Sequence, residues 1–126
     1  MKRFGMIIGL RPEHFEEYKK LHSAAWPEVL ATIASCHIRN YTIYHHEGML
    51  FGSYEYYGTD YKADMARMTA DPSTQKWWAI LMPMQRRLEG TPEREWWIPI
   101  EELFHFDGNI TASEAMNASN PTEFAG

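Results

Sequence analysis

Strand and helix signals along this 126-residue chain predict an α+β domain, and three observations carry the prediction. Short alternating apolar runs and helical runs follow one another in the order β-α-β-β-α-β. Two of the strands flank a Glu47-Gly48 turn and read as a hairpin. Each helical run is divided by a proline, at Pro27 and at Asp71-Pro72-Ser73. This is the ferredoxin-like order, an antiparallel sheet with its helices on one face.

Phe4 to Leu10 reads as the first strand, ended by Arg11-Pro12. Pro12 suits a first helical turn, where its missing N–H costs nothing. Glu13, Glu16 and Glu17 then precede Lys19 and Lys20, an order favoured by the helix dipole. Phe15, Tyr18, His22 and Trp26 fall on one helical face. Pro27 breaks the helix after Trp26 and starts a second run to about Ala34. Cys36 to Glu47 and Met49 to Tyr57 are the hairpin strands. Asp60 caps a helix to about Met68, and Thr74 to about Leu88 forms another, kinked at Pro83. Gly90 to Trp97 is irregular, and Ile100 to Phe106 is the last strand. The ferredoxin-like domain covers residues 1–107, and residues 108–126 lose periodicity and read as a polar, mobile tail.

Composition narrows the function. Apolar residues at 44 % and charged residues at 23 % suit one globular domain. The net charge of −5 and the absence of a basic stripe argue against nucleic-acid binding. No window approaches the roughly 18 apolar residues of a membrane span, so a cytoplasmic location is expected. A single cysteine, Cys36, excludes an intrachain disulfide and a Cys-rich zinc site. Large residues occupy alternate positions on both sides of the strands (Met6 and Ile7, Ile43 and Tyr44, Phe51 and Tyr54), which predicts a covered outer face and hence a symmetric dimer.

Tyr18, His22 and Trp26 put a phenol, an imidazole and an indole at four-residue intervals. A packed helix histidine explains His22 equally well at first sight, but rings with polar tips are costly to bury without partners. An imidazole among such rings can move a proton on a small neutral ligand near neutral pH. Trp77 and Trp78 diverge by about 100° on a helix, so only one can fill the core while the other floors a pocket or meets a partner. Tyr41 is either a sheet aromatic or a hydroxyl offered to a ligand. His45-His46 and Glu101-Glu102 point to opposite faces of their strands, which argues against joint metal ligation or a carboxylate pair. His14 and His37 have no evident partner. No phosphate loop, HExxH or serine elbow is present, so neither a nucleotide nor a metal cofactor is indicated.

Tyr18-x-x-x-His22, Ala25-Trp26-Pro27-Glu28, Asn40-Tyr41-Thr42-Ile43-Tyr44, Trp77-Trp78 and Glu102-Leu103-Phe104-His105 together resemble the L-rhamnose mutarotase family, from about Met1 to Phe106. The resemblance implies a dimeric ferredoxin-like α/β barrel. It also implies cofactor-free interconversion of the α and β pyranose anomers of L-rhamnose. It makes His22 the general acid and Tyr18, Tyr41, Trp77 and Trp78 the sugar-contacting residues. The Pro92–Trp97 segment and the tail depart from shorter members, which leaves a related deoxysugar such as L-fucose open. Dimeric barrels also host cofactor-free oxygenases and haem-binding proteins, and a non-catalytic ligand-binding module would use the rings for its interface alone.

Overall fold

A computed structural model describes residues 1–117. Strand β1 (Lys2–Leu10) lies inside the sheet, antiparallel to β3 (Met49–Tyr56) on one side. Its other side takes β4 (Gln85–Arg86) beside Gly9 and Leu10, and β5 (Ile98–Ile100) beside Gly5 to Ile7. Strand β2 (Ile38–His46) pairs with the far edge of β3, so the order is β2-β3-β1-β4. This is the α+β, ferredoxin-like arrangement expected from the sequence.

Helices α1 (Phe15–Ser23) and α2 (Pro27–Ser35) connect β1 to β2, and α3 (Tyr61–Ala70) and α4 (Pro72–Leu81) follow the hairpin. Pro27 and Pro72 occupy first helical positions, where no N–H is missed. Asp60 accepts from Ala63 N at 3.1 Å, and Asp71 from Thr74 N at 2.9 Å, which caps α3 and α4.

Two expected boundaries are corrected. The helix expected to reach Leu88 ends at Leu81, because Pro83 cannot donate to the helical ladder; Met82–Met84 tightens into a 3-10 turn and the chain enters β4. The strand expected at Ile100–Phe106 is instead β5 at Ile98–Ile100, an edge strand able to accept Pro99. Within the expected tail, Thr111 and Glu114 form a capping box that starts α5 (Ala112–Met116). Residues 118–126 lie outside the described residues.

Two clusters are buried between sheet and helices. The larger joins Ile8, Leu10 and Leu50 of the sheet to Tyr18, Val29, Trp77, Leu81 and Met84. The smaller holds Cys36, Ile38, Tyr56 and Met68. Ile8 and Leu50 are register partners, so their side chains share the helix-covered face. The opposite face carries Tyr44, Phe51 and Ile100, and Tyr44 keeps 66 % of its surface exposed.

Beside the smaller cluster, His37 and Asp64 form a polar hub that the sequence did not reveal. The buried Asp64 carboxylate accepts from Tyr56 Oη at 2.6 Å, His37 Nδ1 at 2.9 Å and Arg67 Nη2 at 2.5 Å. Arg67 also donates to Ser35 O at 2.8 Å, tying α3 to the end of α2. These donors, the Arg67 guanidinium foremost, hold the Asp64 carboxyl far below its usual range, while burial pushes the Tyr56 phenol up to about 12. A depressed carboxylate pKa stabilises the fold above the unfolded value of 3.8, and that stability is lost as the pH falls through the lower folded value. Replacing Asp64 with Asn is therefore expected to lower stability at neutral pH and to flatten its loss on acidification. Urea melts across the acid range check this; an unchanged pH slope would mean that the hub does not govern acid stability.

Candidate active site

Helix α1 turns Tyr18 and His22 inward one turn apart, and Trp26 follows in the extended link between α1 and α2. Tyr18 is buried in the larger cluster, and the His22 ring stacks on it with centroids 4.2 Å apart. Trp77 of α4 closes the other side of His22 at 5.3 Å, tilted by 60°, and Trp26 meets Trp77 edge-on at 5.1 Å. Tyr18 and Trp77 thus flank the imidazole, with Trp26 behind Trp77, and together they wall it with rings.

His22 has a defined tautomer. Its Nδ1 lies 2.9 Å from the Tyr18 carbonyl, which can only accept, so Nδ1 carries the proton. The lone pair of the neutral ring is therefore on Nε2, which makes no hydrogen bond among the described residues. Burial lowers the His22 pKa below the ordinary 6.5, and the Tyr18 carbonyl only partly offsets this. The resting ring is neutral near pH 7, with a basic nitrogen available.

Tyr18 Oη accepts from Gln85 Nε2 at 3.1 Å, and Gln85 Oε1 accepts from Trp96 Nε1 at 2.7 Å. Burial raises the Tyr18 pKa, and the Gln85 hydrogen bond pulls weakly the other way, so the phenol stays neutral. Neither Gln85 nor this position of Trp96 was anticipated from the sequence. The residues meet only because the irregular segment after β4 folds back, and no periodicity encodes that return.

Tyr41 enters from the sheet. One extra residue between Arg39 and Thr42 makes a β-bulge in β2, with Asn40 in the left-handed region at φ 51° and its amide held by Glu55. The bulge sets the Tyr41 ring 5.5 Å from Tyr54, on the helix-covered face. Although 40 % of Tyr41 is exposed, its phenol is desolvated and its pKa raised, with the Tyr18 and Tyr61 hydroxyls adding to the effect. Tyr18, His22 and Trp77 are thus in direct contact, whereas Tyr41 approaches separately.

Trp78 is half-buried and packs against both clusters, so the Trp77-Trp78 pair divides as the helical angle requires. Trp97 lies on the helix-covered face. Its Cζ3 and Met6 Cε fill the space a Cβ at Gly52 would need, at 3.4 and 3.0 Å from that position. His45 stacks on Phe15 at 4.3 Å and accepts from Gly48 N. A cleft of about 320 Å³ between Arg3, Asn40, Glu55 and Glu102 borders the Tyr41 bulge, and none of Tyr18, His22, Trp26 and Trp77 lines it. Among the described residues no three His, Cys, Asp or Glu side chains are grouped to hold a metal ion.

A sequence profile described as L-rhamnose mutarotase matches residues 3–106. The chain belongs to the L-rhamnose mutarotase family. Among curated relatives, the L-rhamnose mutarotase of Phocaeicola vulgatus is 32 % identical over 110 residues, which is 85 % of this chain and 100 % of that protein. The L-rhamnose mutarotase of Oceanobacillus iheyensis is 31 % identical over the same shares. The crystal structure of an L-rhamnose mutarotase from Formosa agariphila superposes with a TM-score of 0.67 at 21 % identity. It covers 85 % of this chain and 100 % of the other, which establishes the common fold. The part matched by the mutarotase profile includes every ring of the wall around His22.

Proposed function

We propose that this chain interconverts the α and β pyranose anomers of L-rhamnose and that His22 Nε2 is the atom that moves the proton. The observation that carries this reading is a neutral imidazole with its lone pair on Nε2, set in a wall of aromatic rings. In a pyranose the anomeric hydroxyl and the ring oxygen are both bonded to C1, so one nitrogen reaches both with a small tilt. Nε2 takes the anomeric proton and becomes imidazolium. It then acts as the general acid, giving that proton to the ring oxygen as the C1–O5 bond breaks. The result is an open-chain aldehyde and a neutral imidazole, with charge and protons balanced. Rotation about C1–C2 and the reverse sequence close the ring on the other face. Tyr18 and Tyr41 offer hydroxyls to the sugar, and the Trp77-Trp78 segment supplies the apolar wall for its C–H face.

The family and the single buried thiol of Cys36 support a cytoplasmic enzyme of carbohydrate metabolism. Among the described residues no helix is long and apolar enough to cross a membrane. The uncovered rings of Tyr44 and Phe51, with Ile100 beside them, support a homodimer built by sheet-to-sheet packing.

Anomer exchange of saturated sugar, followed by NMR, tests the reading, with L-fucose run beside L-rhamnose and sedimentation reporting the assembly. Catalysed exchange is expected for L-rhamnose, with a rate steady between about pH 7 and 8 and falling as acid protonates Nε2 below the ordinary 6.5. No acceleration of L-rhamnose exchange would refute the assignment. A rate that climbs on acidification would mean that imidazolium is the resting form.

A further inference from the structure

The Gln85 amide lies between two partners of unequal chemistry. The indole N–H of Trp96 can only donate, so the atom facing it at 2.7 Å must be the amide oxygen. The amide nitrogen is thereby turned toward Tyr18 Oη, 3.1 Å away, and donates to it. The tyrosine oxygen accepts, which leaves its own proton directed elsewhere. Gln85 is only 5 % exposed and is anchored by β4 pairing beside Leu10, so it has little room to reorient.

The segment that carries Trp96 is itself held in shape. Arg87 donates to the carbonyls of Thr91 at 3.2 Å, Pro92 at 2.6 Å and Glu95 at 3.1 Å. Glu95 N bonds Pro92 O at 2.9 Å inside the same loop. One guanidinium thus closes the turn that returns the chain from β4 to Trp96.

Resting on the mutarotase reading above, we propose that Gln85 and Trp96 are positioning residues that fix the Tyr18 hydroxyl as a donor toward the bound sugar, with Arg87 holding the loop that delivers Trp96. The pyranose ring oxygen has lone pairs and no proton, so it can meet this hydroxyl only as an acceptor. A sugar hydroxyl could satisfy a tyrosine pointing either way. A one-way donor therefore favours the orientation that presents the ring-oxygen side of the sugar to Tyr18 and His22. A free tyrosine would have to choose that orientation anew at each binding event.

A substitution cycle on L-rhamnose anomer exchange tests this. Gln85→Glu keeps the shape but offers lone pairs to both neighbours, so it draws the tyrosine proton away from the sugar. The expected effect is a fall in kcat of about 100-fold at about pH 7 to 8, and the ratio to the unsubstituted enzyme at the same pH narrows on acidification as the introduced carboxyl gains a proton and can donate again. Trp96→Phe keeps a packing ring but frees the amide to flip, and about a tenfold fall is expected. Placed in a Tyr18→Phe background, neither change should slow exchange further. Should Gln85→Glu fail to fold, Trp96→Phe carries the cycle alone. Equal losses with and without the Tyr18 hydroxyl, or a Gln85→Glu rate that stays at the same fraction of the unsubstituted enzyme's rate as the pH falls, would overturn the proposal. His22→Gln separates the two readings: if it abolishes exchange while the cycle is additive, only the positioning role fails. If it leaves exchange intact, the site assignment fails as well.

Discussion

Replacing His22 with Gln should slow catalysed anomer exchange of L-rhamnose by about 10²–10⁴-fold, the range for a well-placed general acid–base group. The side chain lost is the only one in the ring wall whose ordinary pKa lies near neutrality. Glutamine can still hydrogen-bond but cannot carry a proton between the anomeric hydroxyl and the ring oxygen. The variant gives up one hydrogen bond to the Tyr18 carbonyl, worth roughly 1 kcal/mol, and the ring contacts to Tyr18 and Trp77, so its fold is checked alongside its rate. A folded protein with a collapsed rate is expected, read by NMR exchange beside circular dichroism. A variant as fast as the parent would place the proton transfer on another group.

The second large effect falls on stability. Trp77→Ala should cost about 3–5 kcal/mol, the range for truncating a buried large aromatic. Trp77 is buried and packs against both His22 and Trp26, so its truncation removes contacts from both rings and leaves a cavity among them. Trp78→Ala should cost less, because part of that ring already meets water. Urea midpoints at constant m-value measure both. A smaller loss for Trp77→Ala than for Trp78→Ala would reverse the assignment of which ring fills the core. Exchange in Trp77→Ala should also slow, since the imidazole loses one of the two rings that fix its plane.

The parts of this architecture governed by local chemistry were legible in the sequence. Pro27 and Pro72 start helices, Glu47-Gly48 turns the hairpin, and Tyr18 and His22 stack one helical turn apart. Trp26, expected on the same helical face, instead lies beyond the end of α1 in the extended link to α2. The second half misled where a tertiary partner decides the outcome. Met82-Pro83-Met84 has the sequence pattern of a kink in a continuing helix, but Gln85 pairs with Leu10 in the sheet instead. Trp96 and Trp97 took the chain inward, which moved strand pairing forward to Ile98, ahead of the apolar run at Leu103 to Phe106. In the candidate site, periodicity singles out Tyr18 and His22, while the resemblance, rather than any spacing, brings in Trp77. Neither finds Gln85, because its partners lie 67 and 11 residues away in sequence. His37 and Asp64, 27 residues apart, escaped for the same reason.

The extra residue at Asn40–Tyr41 has a consequence for how the chain tolerates change in length. Ile38 and Ile43 are separated by an odd number of positions, yet they pair with Tyr56 and Gly52, two positions of β3 that both lie on the helix-covered face. The two halves of β2 are therefore each in correct phase with β3, and the slack between them sits at one point. Losing Asn40 would join the halves into an ordinary strand and leave the inward set intact, altering mainly the aim of Tyr41. Losing one residue anywhere from Ile43 to His46 would instead invert a flank and expose its buried side.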